Sequence, residues 1–328
     1  MTATGSLLGL ALGDALGAPT EFLDVPAITD RFGPWRDLDP PAPRALVTDD
    51  TQMALAVARA LPADRPDALE QRLRAEFVRW LRSPDNNRAP GATCLTACRL
   101  LEAGHRWQDA SQVASKGCGA NMRVTPLGLV PGLTDEQRAG AAQLQAGLTH
   151  GHPTGLAASD LTAHAVLLLT GGTAPADLPG RLRAYAEQQR GIYHERWLGD
   201  LAARAGAESP QRFIASGWDE CLAVLDRLET GLRDGDEERD PCTVTGQGWV
   251  AEEALGTALL CFLLFPDRPV LAVRRAAATA GDSDSIAALT GAFAGAHCGA
   301  EAWPADWVAR LEHRDELRAI GAVWDAAR

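Results

Sequence analysis

Apolar residues recur at helical spacing along nearly the whole chain, with glycines and prolines punctuating the runs. Residues 6–16, leucines and small residues broken by Gly9 and Gly13, predict a helix suited to close packing, which Pro19 ends. A second helix is predicted over 52–61. Over 68–81 the apolar positions Leu69, Leu73, Phe77 and Leu81 share one face. Helices follow over 92–103 and 122–130. Thr134 and Gln137 then have capping-box spacing and open a helix to residue 148. The pattern continues over 154–169 and over 210–232, with Pro210 in a first turn. It resumes over 250–265, 269–280, 286–296 and 303–328. Loops are predicted at 24–47, which holds prolines 26, 34, 40, 41 and 43, and at 83–91, 115–121 and 232–240. No segment alternates as a strand should, and no repeat of fixed period is present. The predicted fold is all-α, one compact domain over residues 1–328.

Two polar stretches break this pattern in the same way. Gly281-Asp282-Ser283-Asp284-Ser285 precedes an apolar run, and Thr48-Asp49-Asp50-Thr51 precedes another. Each alone is explained by helix N-capping, because first-turn amides and the helix dipole favour anions. Together they point to a cation. Carboxylate and hydroxyl oxygens suit Mg²⁺, Ca²⁺ and Mn²⁺. Two carboxylates at about 4 Å repel by roughly 1 kcal/mol in water and about 4 kcal/mol near a protein surface, so four in one pocket call for positive charge. The stretches lie near opposite ends of the chain, and one compact domain lets them meet. Thr51 and Ser283 are read as caps.

Composition narrows the partners. The chain has 328 residues, 46% of them hydrophobic, and a net charge of −12, and Lys116 is its only lysine. Basic residues form no patch, so nucleic acid is excluded as a phosphate-bound partner and remains only as a modified substrate. A phosphorylated ligand would be held by metals and backbone amides instead. The start of the chain lacks the basic and apolar regions of a signal peptide, and the apolar run 255–265 is too short to span a bilayer. Seven cysteines show no zinc or redox spacing, and Cys94 and Cys98 read as packing residues. A monomer in the reducing cytoplasm is expected.

The ordered motifs carry a resemblance. Gly9-Leu10-Ala11-Leu12-Gly13-Asp14-Ala15-Leu16-Gly17 with Glu21, Thr48-Asp49-Asp50-Thr51-Gln52-Met53 and Arg88-Ala89-Pro90-Gly91 come first. Gly117-Cys118-Gly119 with Met122-Arg123, Thr149-His150, Gly248-Trp249 with Glu252-Glu253-Ala254-Leu255, and the 281–285 stretch complete the set. In this order, over nearly the whole chain, they resemble the ADP-ribosylglycohydrolase family. The resemblance implies an all-helical domain with two Mg²⁺ or Mn²⁺ ions at the base of a cleft. It implies Thr48, Asp49 and Asp50 as one ligand group, and Asp282, Asp284 and Ser285 as the other. Ser285 stands where the family usually has threonine, and its hydroxyl still offers an oxygen.

The same resemblance gives Glu21 the acid/base or water-positioning role, with Asp14 the competing carboxylate, read as structural within its helix. Gly117, Cys118 and Gly119 are expected to hold the diphosphate and distal ribose through successive amides. Met122 is grouped with that loop. His150 and His152 could suggest zinc, but no third ligand is near, and packing or a ligand contact is favoured for His150. Trp249 is either a core plug or a surface on which a base stacks. The implied activity is hydrolysis of ADP-ribose from its acceptor, on protein or on a small molecule. Arginine is placed first because a guanidinium suits an acidic rim supplied by Glu21 and Asp85. A hydrolase of another phosphorylated molecule and a non-catalytic, crystallin-like relative are the other readings.

Overall fold

Glycines at four-residue intervals decide how the centre of the molecule packs. The computed structural model describes residues 1–62 and 65–328. Helix α1, Thr2–Gly17, is buried at every position but Thr2. Eight more helices matter here: α2 Asp49–Ala60, α3 Asp135–Gly147, α4 Pro153–Thr170, α5 Pro210–Asp234, α6 Ala251–Leu264, α7 Pro269–Ala277, α8 Ser283–Cys298 and α9 Arg314–Ala326. About 68% of the chain is helical. Among the described residues, strand pairing is confined to three isolated bridges. Among the same residues, no helix is long and apolar enough to cross a membrane.

α1 and α8 lie antiparallel, backbone against backbone. A Cβ on Gly9 would stand 2.1 Å from the Gly291 carbonyl oxygen, and one on Gly13 would stand 1.9 Å from that of Ala287. Gly5 meets Gly295, and Gly17 meets Ser283, in the same way. Ser6 Oγ donates to Ala292 O at 2.8 Å across the seam, and Trp303 Nε1 donates to Gly5 O at 2.9 Å. Asp325, on α9, caps α1 by accepting from Ala3 N, Thr4 N and Thr4 Oγ1 at 2.7–3.1 Å. The remaining layers build outward: α6 and α7 pack on α8, while α4 bridges α3, α5 and α6. Register is therefore set along the seam, and it places the C-terminal end of α1 beside the N-terminal end of α8.

Several local expectations are corrected. Segment 24–47 is not all loop: Asp24 accepts from Ala27 N at 2.8 Å and caps a helix, Val25–Phe32, with Pro26 in its first turn. A 3₁₀ turn, Trp35–Asp37, follows. The tail is two helices, Ala305–Arg310 and α9, because Ala45 inserts its backbone at the break, donating to Arg310 O and accepting from Glu312 N. α5 runs two residues further than expected and stops where Gly235 turns left-handed at φ 62°. Within 122–130 only Thr125–Leu129 is helical. The capping box of Thr134 and Gln137 is present as expected.

The seam makes a directional prediction. Gly291→Ala gains about 1 kcal/mol of helix propensity, but its Cβ would lie 1.9 Å from the Gly9 carbonyl oxygen. Overpacking of this kind typically costs about 1–3 kcal/mol, and rigid backbone favours the upper end. Net destabilisation of about 2 kcal/mol is expected in urea unfolding. A midpoint equal to or above wild type would show that the seam can open freely.

Candidate metal centre and substrate cleft

Glu21 leaves the end of α1 on a turn held from both sides. Thr20 Oγ1 lies within hydrogen-bond distance of Gly17 O (2.7 Å), Ala277 O (2.6 Å) and Ser283 Oγ (3.0 Å), and Ser283 Oγ donates to Gly17 O at 3.0 Å. Ser283 is thus a clasp between α1 and α8 and not the expected cap. Asp14 reaches from α1 to the start of α2. Its carboxylate accepts from Thr48 N at 3.0 and 3.1 Å, Thr51 N at 3.1 Å and Thr51 Oγ1 at 2.5 Å. Thr51 therefore binds Asp14 instead of capping α2, and Thr48 Oγ1 accepts from Asp50 N at 3.3 Å. With its oxygens so occupied, Asp14 is structural.

Both acidic stretches enter the first turns of their helices, which start at Asp49 and Ser283 and not at Gln52 and Ile286 as expected. Capping does not account for them. Asp282, at the N-cap of α8, makes no capping hydrogen bond. Asp284 accepts from the adjacent Ser285 N at 2.9 Å, and Asp49 accepts only a long contact, 3.4 Å, from Gly91 N. Asp50 Oδ1 is buried with no hydrogen-bond partner. One carboxylate oxygen each from Glu21, Asp282 and Asp284 lie within 4.8 Å of one another.

Burial pushes every one of these acids upward, and for all but Asp284 the neighbouring carboxylates add to it. Glu21 rises to about 9, through burial and then Asp284, and Asp49 to about 8 for the same two reasons. Asp14 rises to about 7. Asp50 and Asp282 stand well above the usual carboxylate range, through burial and then Asp284, and burial also raises Asp284. No lysine or arginine lines this cleft, and His150 is held neutral, its imidazole lowered to about 3 by burial and by Arg123. An orphaned carboxylate oxygen among clustered acids, with no basic side chain to offset them, is the donor chemistry that hard divalent cations satisfy.

The cleft, about 270 Å³, is lined by Glu21, Asp49, Asp50, Gly117, Cys118, Gly119, Met122, His150, Trp249, Asp282, Asp284 and Ser285. Thr48 lies behind one wall, lining the neighbouring cavity. Segment 247–251 splices the two halves together: Gln247 O accepts from Asp282 N at 2.8 Å, and Trp249 O accepts from Cys118 N at 3.1 Å. That second bond corrects an expectation, because the Cys118 amide is not free to meet an anion. Gly119 is required by space, since its Cβ would fall 2.9 Å from Cys94 Sγ. Lys116 turns away into ion pairs with Glu220 and Glu252, both at 2.6 Å.

His150 is oriented by a buried relay. Arg123 donates to Thr149 Oγ1 at 2.7 Å, and Thr149 Oγ1 lies 2.8 Å from His150 Nδ1. The other ring nitrogen, Nε2, faces the 117–119 loop. His152 instead caps α4 through Thr154 N, so the two histidines form no zinc pair. Trp249 is 39% exposed and stacks on Phe22, with centroids 5.5 Å apart and planes 16° apart, so it is no core plug.

Phe22 and Thr93 also line the cleft and were not singled out in the sequence, and Cys94, read there only as a packing residue, lines it too. Phe22 sits at φ 65°, and nothing in its residue type signals that. Asp85 is absent from the lining; its largely exposed side chain faces Arg88 at 3.8 Å. The acidic rim is therefore Glu21 without Asp85.

Comparison with known proteins agrees with this geometry. The family profile described as ADP-ribosylglycohydrolase matches residues 2–328. The ADP-ribosyl-(dinitrogen reductase) glycohydrolase of Rhodospirillum rubrum is 26% identical, over 96% of this chain and 91% of that protein. The ADP-ribosylarginine hydrolase Tri1 of Serratia proteamaculans is also 26% identical, over 96% of this chain and 76% of that one. A solved structure described as an ADP-ribosylglycohydrolase-related protein complex aligns with a TM-score of 0.68 at 25% identity, over 100% of this chain and 98% of that one. By the span of the match and the order of its motifs, the chain belongs to the ADP-ribosylglycohydrolase family.

Proposed function

We propose that this hydrolase cleaves the bond between C1 of the distal ribose of an ADP-ribosyl group and its acceptor, with ADP-ribosyl-arginine on protein as the first-choice substrate. One observation carries the reading: buried carboxylates from two distant helix starts share a cleft with no lysine or arginine in its lining. Thr48, Asp49 and Asp50 would hold one side of a pair of Mg²⁺ or Mn²⁺ ions, and Asp282, Asp284 and Ser285 the other. Bound there, the ions supply positive charge that orients the ribose hydroxyls and offsets the clustered acids.

The chain's own residues do the rest. Glu21 stands at the open side of the cluster, where it can take a proton from the attacking water as oxygen bonds to C1 and the C1–acceptor bond breaks. The proton then goes to the departing acceptor nitrogen. His150 Nε2 and the Gly117–Gly119 backbone line the wall where ribose and diphosphate would lie. The exposed face of Trp249 offers adenine a flat apolar surface. The arginine choice draws on the likeness to an ADP-ribosylarginine hydrolase and on the Glu21 carboxyl, whose oxygens can accept from a guanidinium at that side of the cleft. A crystallin-like, non-catalytic role is disfavoured because a purely structural protein gains nothing from acids that repel without cations.

Three measurements check the reading. Asp284→Asn and Asp49→Asn are expected to lose Mg²⁺ and Mn²⁺ binding in calorimetry and to lose turnover, while keeping the fold. Unchanged binding heats would remove the metal assignment. Glu21→Gln is expected to keep ADP-ribose affinity and lower kcat by about 10²–10⁴-fold, the usual contribution of a general acid–base group. Wild-type kcat in that variant would return Glu21 to an ordinary loop residue. Across ADP-ribosylated arginine, serine and nucleic acid, kcat/KM is expected to be highest for arginine. Release from serine or a base alone would change the acceptor, and binding of ADP-ribose with release from none would make the protein a binder.

A further inference from the structure

Beyond the acidic cleft, on the other side of Glu21 and Phe22, lies a second cavity of about 440 Å³. Its walls are largely apolar, with Pro19, Pro41, Leu46 and Val47 prominent. Glu21, Phe22 and Ala89 line both cavities, so the two lie on opposite sides of these residues and meet at Glu21. Phe22 and Ala89 hold left-handed backbones at φ 65° and 51°, a conformation that side chains other than glycine adopt at a cost. Leu46 is 43% exposed, and Phe22, although its ring stacks on Trp249, is 69% exposed, so apolar side chains meet solvent at this cavity.

Resting on the hydrolase reading above, we propose that this cavity receives the acceptor polypeptide, an apolar and neutral-to-acidic segment flanking the modified side chain. Adjacency carries it. If ADP-ribose fills the acidic cleft and Glu21 faces the scissile bond, the chain on the far side of that bond must leave across Glu21. The cavity there is apolar, as a peptide-binding surface is, and not polar, as a site for a second phosphorylated group would be. Its charge sets the flank. Arg88 is committed to Glu312 at 2.5 Å and to Val47 O at 2.6 Å. Arg44, its side chain 66% exposed, is held only at 3.5 Å by the same glutamate. Arg44 is thus the rim cation left to meet an acidic residue of the substrate.

The test separates the two sides of the bond. Two substrates are compared: an ADP-ribosylated protein and free ADP-ribosyl-arginine, which has no polypeptide to dock. Leu46→Asn, a neutral change at an exposed site, is expected to raise KM for the protein about tenfold, the scale of one lost apolar contact. KM for free ADP-ribosyl-arginine, kcat on both and Mn²⁺ binding heats are expected to stay at wild-type values, and Leu46→Met is expected to restore protein KM. Arg44→Glu is expected to shift preference from acidic-flanked to basic-flanked ADP-ribosylated peptides. Equal loss on both substrates, or no loss on the protein, would overturn the acceptor assignment while leaving the hydrolase intact. Wild-type failure to release ADP-ribose from either substrate would contradict the hydrolase reading itself and take this assignment with it.

Discussion

The backbone-to-backbone seam between α1 and α8 is the constraint on which the site depends. Helices that meet through side chains lie 8–10 Å apart and can slide by fractions of a residue. Here carbonyl oxygens occupy the places where Cβ atoms would stand on Gly9, Gly13, Gly291 and Gly295. That contact fixes separation and register together. It brings Glu21, four residues past the end of α1, to Asp282 and Asp284 at the start of α8, although more than 260 residues separate them in sequence. Asp14 extends the same logic to α2, because its carboxylate grips the first turn that carries Asp49 and Asp50.

The geometry so imposed is electrostatically unfavourable for the protein alone. Each acid is raised by burial, all but Asp284 also by neighbouring carboxylates, and no lysine or arginine in the cleft lining relieves them. The basic groups of the region are committed elsewhere: Arg88 to Glu312, Lys116 to Glu220 and Glu252, and Arg123 to Gln145 and Thr149. Arg123 is itself fully buried, and its reach is spent on orienting the neutral His150. A fold that holds five carboxylates together while directing its cations away stores its need for positive charge at one place.

Much of this was legible in the sequence, for identifiable reasons. Helix periodicity and the Thr134 capping box are local signals, and the all-α class and that cap read correctly from them; the two acidic stretches are equally local, and the fold brings them into one cleft. What escaped depends on tertiary contact. The tail reads as one helix because nothing local says that Ala45 will intercept its backbone. Segment 24–47 reads as loop because proline density hid a helix that Asp24 and Pro26 themselves start. Thr51 and Ser283 look like caps, yet their hydroxyls serve Asp14 and Gly17 across helix contacts. The amide of Cys118 looked free for an anion until Trp249 O was seen to claim it. Phe22 carries no sequence signal at all, since its left-handed backbone and its stack on Trp249 arise only in three dimensions.

The central claim is that the two acidic helix starts form one cation site. Diffraction from crystals grown with Mn²⁺, recorded at the manganese absorption edge, tests it directly. The account predicts two anomalous peaks within coordination distance of carboxylate oxygens from both the 49–50 pair and the 282–284 pair. Peaks found only elsewhere, or bound to one stretch without the other, would contradict it.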